Sequence, residues 1–119
     1  MSGGIDPEDQ KLVTLARGAR GRINAFEGAA VRDETGRTYS GATVALGDFG
    51  VSALQLAVLQ AAAAGATGVE AAAVVSGDLS NTTIIGLVEL AELGHGNVPV
   101  LICSADGAVV STTVADVHR

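Results

Sequence analysis

The stretch from Val69 to Val75, apolar at every position but Glu70, limits the fold more than any other segment. It has the length of a strand and lacks alternation, the pattern of a strand covered on both faces. Such a strand needs helices above and below it, and the rest of the chain supplies them. Val51 to Ala64 is almost apolar all round apart from Ser52, Gln55 and Gln60, so it reads as a helix buried on most faces. Gly65 ends it. An earlier helix opens at Asp6, placed to cap, with Pro7 at the first helical position and Glu8 and Asp9 in the positive end of the dipole. Leu12, Val13, Leu15, Ala16, Ala19 and Ile23 follow at helical spacing and put one stripe toward a core. Gly18 and Gly21 weaken its second half or allow close packing on a sheet.

Between these helices the pattern shortens. Ala29 to Arg32 and Thr38 to Val44 read as strands around Asp33-Glu34-Thr35-Gly36, a turn with glycine where a positive φ is expected. Beyond Val75, Asn81, Thr82 and Thr83 offer caps for a third helix through Leu93, with Gly94 just past its end. Val98 to Cys103 is a fourth strand. Ala105-Asp106-Gly107 turns the chain into a fifth, Ala108 to Thr112. The order α-β-β-α-β-α-β-β predicts an α/β fold, a mixed five-stranded sheet with helices on both faces. Residues 1–119 read as one domain, with 1–6 and 114–119 expected to be loose.

Composition removes several functions. A chain of 119 residues can bury roughly two-thirds of its unfolded surface. With 3% aromatic residues, its core must be built from Ala, Val, Leu and Ile. Seven Lys and Arg against thirteen Asp and Glu leave a net charge of −6, which argues against a basic face for nucleic acid. Aromatic stacking platforms are equally poorly supplied. The lone Cys103 excludes an internal disulfide and a cysteine cluster for metal, and its strand context makes it a small hydrophobe. No apolar stretch approaches a membrane span of about 20 residues, and the N-terminus lacks a basic, apolar signal region. The expectation is a soluble, cytoplasmic protein without membrane or nucleic-acid partners.

Several local sequences, in this order, resemble the cytidine deaminase family. Gly28-Ala29-Ala30-Val31-Arg32, followed by Gly36-Arg37-Thr38-Tyr39-Ser40-Gly41, is similar to that family's VGAAV…GrxYxG hairpin. Leu56 to Gly65 resembles the helix after its first zinc ligand, and Leu90-Ala91-Glu92-Leu93-Gly94 the end of the next helix. The likeness runs from about Ala16 to Val110 and implies a cytidine-deaminase-like fold assembled as a homodimer or homotetramer. The family's chemistry uses a zinc ion held from two helix starts, [C/H]-A-E and P-C-x-x-C. Zinc acidifies a water, and the Glu carries its proton to the leaving amine.

By that resemblance the first ligand falls on Ser52 and the proton-carrying Glu on Leu54. The two cysteines fall on Thr83 and Gly86, and the proline on Thr82. A neutral hydroxyl, a second one and a glycine cannot make a tight zinc site, and leucine cannot carry a proton. The family's ribose-holding N-x-E falls on Thr43-Val44-Ala45, and its PYSxF segment has no counterpart in Arg22 to Phe26. A shifted register does not help, because no Cys, His or Glu lies between Gly41 and Gly68.

The expected protein is therefore a non-catalytic relative: no metal, no cofactor, no catalytic residue. It acts as a homo-oligomeric interaction protein or binds a small, nucleoside-like molecule in a vestigial cleft. Thr43, Asp48, Ser52, Leu54 and Thr83 are the candidate cleft residues. Each also has a plain structural reading: Ser52 as a helix cap, Thr83 as a first-turn residue, Leu54 as packing, and Asp48 as a solvated loop carboxylate. His95 sits just past a helix end, His118 lies in the tail, and Asp106 serves its turn. Arg17, Arg20 and Arg22 form a small basic cluster that reads as a solvated face. The alternative is a hydrolase, a cytidine deaminase with a site rebuilt around Asp48, Asp78 or His95.

Overall fold

A computed structural model describes residues 5–81 and 83–116. A five-stranded sheet has the order β2-β1-β5-β6-β7, formed by β1 (Glu27–Asp33), β2 (Thr38–Ala42), β5 (Val69–Ser76), β6 (Val98–Cys103) and β7 (Val109–Ala115). β3 (Val44–Leu46) and β4 (Phe49–Val51) make a separate antiparallel hairpin. β5 and β6 run parallel and every other pairing in the main sheet is antiparallel, so the sheet is mixed. The parallel pair requires a crossover, and the chain from Gly77 to Asn97 supplies it with a 3₁₀ turn and α3 (Leu87–Gly94).

The α/β architecture and the five strands expected from the sequence are present. α1 (Pro7–Ile23) covers one face, where Leu12, Val13 and Ala16 pack against Ala30, Ala71, Ala73, Val75 and Cys103. α2 (Ala53–Ala63) and α3 cover the other, where Ala53, Leu54, Ala57, Leu90 and Ala91 meet Ala29, Val31, Val74 and Val100. The alternation of β1 and β5 between these two clusters is the period of two that a strand imposes. Val74 and Val75 are both fully buried, on opposite faces, as a doubly covered strand requires.

Two glycines of the hairpin set how closely the layers approach. A Cβ at Gly28 would collide with the Ala16 carbonyl of α1. A Cβ at Gly41 would stand 2.8 Å from the Ala53 carbonyl and 2.9 Å from the Ala57 nitrogen of α2. Neither position has room for a side chain, so small residues here permit the three-layer packing. Gly18 and Gly21 have no such role; a Cβ at Gly21 would meet nothing within 4 Å.

The turn after β1 is held by Asp33, itself only 2% exposed. Its carboxylate accepts from the Thr35 amide at 2.8 Å, the Thr35 hydroxyl at 2.7 Å, the Arg37 amide at 3.0 Å and the Tyr39 hydroxyl at 2.8 Å. Burial pushes the acid up, but these donors outweigh it and hold the carboxyl down at about 2.

Several boundaries differ from expectation. Residues 44–51 form a hairpin, because Gly47 adopts φ 63° in its turn and reverses the chain. α2 accordingly begins at Ala53, not at Val51. α3 begins at Leu87, with Gly86 as its N-cap, so Thr83 precedes the helix and does not sit in its first turn. The fifth strand runs on to Ala115, which is 1% exposed against the core, so residues 114–115 are not loose. Nor are residues 5–6: Ile5 packs on the α1 cluster and Asp6 caps Glu8 at 2.7 Å. Residues 1–4, 117–119 and Thr82, with His118 among them, lie outside the described residues. In α1, Leu15 and Ile23 fall outside the buried stripe, Ile23 being 59% exposed. In α2, Leu59 is 51% exposed, so this apolar helix is not buried on most faces within one chain.

Candidate functional site

The starts of α2 and α3 adjoin, and the β3–β4 hairpin stands beside them. A cleft of about 610 Å³ opens there. Its floor and sides come from Glu27 and Phe26 at the start of β1, Thr43 to Ala45, Gly50 to Ser52, Gln55, and Thr83 with Ile85. Most of this lining is apolar, and the hydroxyls of Thr43, Ser52 and Thr83 and the Gln55 amide are its neutral polar groups.

Ser52 is the N-cap of α2. Its hydroxyl oxygen accepts from the Gln55 amide at 3.0 Å, and the Gln55 side-chain oxygen accepts from the Ser52 amide at 3.0 Å. The same hydroxyl donates to the Ile85 carbonyl at 2.5 Å, tying α2 to the approach of α3. The serine thus occupies a helix start that would otherwise leave backbone donors unsatisfied. Thr43 is committed to β1. Its hydroxyl accepts from the Glu27 amide at 3.2 Å, and its own amide donates to the Glu27 carbonyl at 3.1 Å. Thr83 is exposed on the cleft wall.

Two of the expected cleft residues are elsewhere. Leu54, 1% exposed, points into the α2–α3 core, because the first turn of α2 puts it on the sheet-facing side. Asp48 lies exposed in the β3–β4 turn, outside the cleft lining, because the hairpin carries it away from α2. The other acid-base candidates have local structural partners. The Asp78 carboxylate accepts from the Ser80 amide at 3.1 Å and hydroxyl at 2.6 Å. His95 caps α3 in the left-handed region at φ 61° and hydrogen-bonds the Thr67 carbonyl at 2.9 Å through Nε2. Asp106 accepts from the Ala108 amide at 2.9 Å and the Ser104 hydroxyl at 2.5 Å. Cys103 is fully buried, and burial pushes its thiol up to about 11.

Glu27 is the cleft residue that sequence reasoning missed. It is 5% exposed, and burial raises its acid above the ordinary glutamate value. A signal was available: counting back by two from Val31 and Ala29 places Glu27 on the same inward face of β1. Starting the strand at Ala29 hid it.

Fold and cleft together define an α/β protein of the deaminase type, with a mixed sheet and a site where two helices begin. The comparisons agree. The family model described as cytidine deaminase-like matches residues 5–107. The chain belongs to that family. It is similar to the crystal structure of cytidine deaminase from Burkholderia pseudomallei, with 25% identity, a TM-score of 0.76, and 97% of this chain covered against 94% of that one. The cytidine deaminase from Mycobacterium leprae shares the fold at 17% identity and a TM-score of 0.69, covering 92% of this chain and 95% of that one. Among proteins of curated function none matches. No helix of the described residues is long and apolar enough to cross a membrane.

The family implies a zinc ion at the two helix starts, and the donors there do not fit one. Ser52 is neutral and engaged in its cap, Leu54 is in the core, and Gly86 has no side chain. Among the described residues no group of three or more His, Cys, Asp or Glu converges. Glu27 brings a single carboxylate to the cleft, too few ligands for the four-coordinate geometry zinc prefers.

Proposed function

We propose that the protein is a non-catalytic member of the cytidine deaminase-like family, an oligomer whose cleft receives a small molecule instead of transforming it. One observation carries this reading: the first turn of α2, where the family's chemistry needs a ligand and a proton carrier, is given to helix capping and core packing. Ser52 and Gln55 close the helix start on each other, and Leu54 is buried beneath them. A hydrolase rebuilt around Asp48, Asp78 or His95 finds no support in the geometry, since none of the three lines the cleft.

The cleft retains the makings of a binding site: apolar walls, a few hydroxyls and one carboxylate. Assembly into a dimer or tetramer is supported by large apolar side chains left open on the hairpin and helices that frame it. Leu46 is 71% exposed, Phe49 64% and Val88 65%. Metal analysis of natively purified protein tests the reading, with no stoichiometric zinc expected. A zinc ion on every chain that resists mild chelation would overturn it.

A further inference from the structure

β1 carries a buried carboxylate at each end, both on the face toward α2 and α3, and the two are treated oppositely. Asp33 is saturated by four donors from the turn it organises. Among the described residues the Glu27 side chain, at 5% exposure, makes no hydrogen bond and no ion pair; only its backbone is engaged, through Thr43. No fully sealed side-chain oxygen among the described residues lacks a partner, so the Glu27 oxygens open into the cleft that Glu27 lines.

A desolvated, unpartnered carboxylate opposes folding, whereas an apolar residue at the start of β1 would extend the core. Structural duty does not account for it, as Asp33 shows what a structural carboxylate looks like on this strand. The cleft also lacks a cation to answer it. Among the described residues no Lys, Arg or His lines it, and Arg20 of α1 instead donates to the Phe26 carbonyl at 3.2 Å. The neighbouring charge is of the same sign: Glu89 receives the Gln55 side-chain amide at 3.5 Å beside the cleft. Apolar surface from Phe26, Val44, Val51 and Ile85 surrounds the carboxylate.

We propose that Glu27 is the anchor of a binding site for a small organic cation, an amidinium or guanidinium carried on an apolar body. A planar N–H fork can meet both carboxylate oxygens at once, and the pairing is strengthened by the apolar surroundings. The apolar body packs against Phe26 and Ile85, and the Thr83 hydroxyl is left for a polar substituent. Burial raises the Glu27 acid, and an incoming cation restores the charged form by replacing lost hydration. The proposal rests on the small-molecule part of the function proposed above and names its ligand chemistry.

The probe is benzamidine, with neutral benzamide as its near-isostere, titrated calorimetrically into wild type, Glu27→Gln and Glu70→Gln. Glu70 is an exposed partner of Arg32, so its variant controls for general attraction to an acidic protein. Saturable benzamidine binding is expected, at least about tenfold weaker in Glu27→Gln and unchanged in Glu70→Gln, with benzamide much weaker throughout; about tenfold corresponds to one lost charge-assisted hydrogen bond. Equal affinity in wild type and Glu27→Gln, equal affinity for the two probes, or no binding overturns the proposal. Should Glu27→Gln not fold, amide NMR of wild type decides. Benzamidine must shift Thr43, Val51 and Gln55 and leave the Asp33 turn alone; shifts elsewhere only, or none, refute it. A negative result removes this ligand class and leaves the non-catalytic reading standing, which turnover of cytidine would remove instead.

Discussion

Ser52 and Gln55 close a reciprocal pair at the start of α2: each backbone amide donates to the other's side-chain oxygen, both at 3.0 Å. This capping box stands where relatives are expected to begin their metal chemistry. A hydroxyl that accepts one backbone amide and donates to the Ile85 carbonyl has committed its proton and one of its two lone pairs to structure.

Ser52→Ala should therefore act on stability. Losing the cap and the link to Ile85 is expected to cost about 1 kcal/mol. Urea unfolding checks this through a lowered midpoint at unchanged slope. An unaltered midpoint would mean that the cap is not holding the start of α2.

Asp33 makes a prediction with a definite pH window. Its carboxyl sits at about 2 in the fold against an ordinary value of 3.8. Because the folded value is the lower one, the stabilisation is present above the unfolded pKa and is lost as pH falls from about 4 to about 2. Asp33→Ala, which orphans the Thr35, Arg37 and Tyr39 donors, should cost roughly 2–3 kcal/mol near neutrality. The gap between variant and wild type should shrink through that acid range in urea titrations. A gap independent of pH would contradict the assignment.

How much of this could be read from the chain is clearest at three places. The doubly covered β5, the capped α1 and the β1–β2 hairpin were legible because each rests on local chemistry: a buried strand run, a cap with proline, a turn with Gly36 at a positive φ of 90°. The β3–β4 hairpin was not, since Val44 to Val51 has only Gly47-Asp48 to mark a turn and runs directly into an apolar helix. The late start of α3 was hidden by Asn81 and Thr83, good caps by residue type, whereas the helix takes its N-cap at Gly86, with φ 121°. At the site, Thr43, Ser52 and Thr83 come together in one cleft, while the register of α2 draws Leu54 inward and the hairpin carries Asp48 away. Glu27 needed the face of β1 to be known before its burial could be recognised.

Assembly is expected from what one chain leaves uncovered. Leu46, Phe49, Leu59, Ile85 and Val88 are all at least half exposed on the α2–α3 side and its hairpin. Covering such surface is the ordinary source of association. Light scattering at micromolar concentration should give a multiple of the 11.8 kDa chain, dimer or tetramer. The mass of one chain would contradict this. Phe49→Asp should shift the population toward monomer.

The central claim is the absence of catalysis, and ammonia release from cytidine and deoxycytidine tests it most directly. Hydrolytic deamination requires an activated water, a proton carrier and a held substrate together. Leu54→Glu alone would bury a carboxylate in the core without a metal beside it, destabilising the fold or becoming protonated. The assay is run at high protein concentration with added zinc, on wild type and Leu54→Glu. No turnover by either is the predicted result; saturable turnover by wild type would show that the protein is an enzyme, and turnover by Leu54→Glu alone would show that a metal site survives at the start of α2.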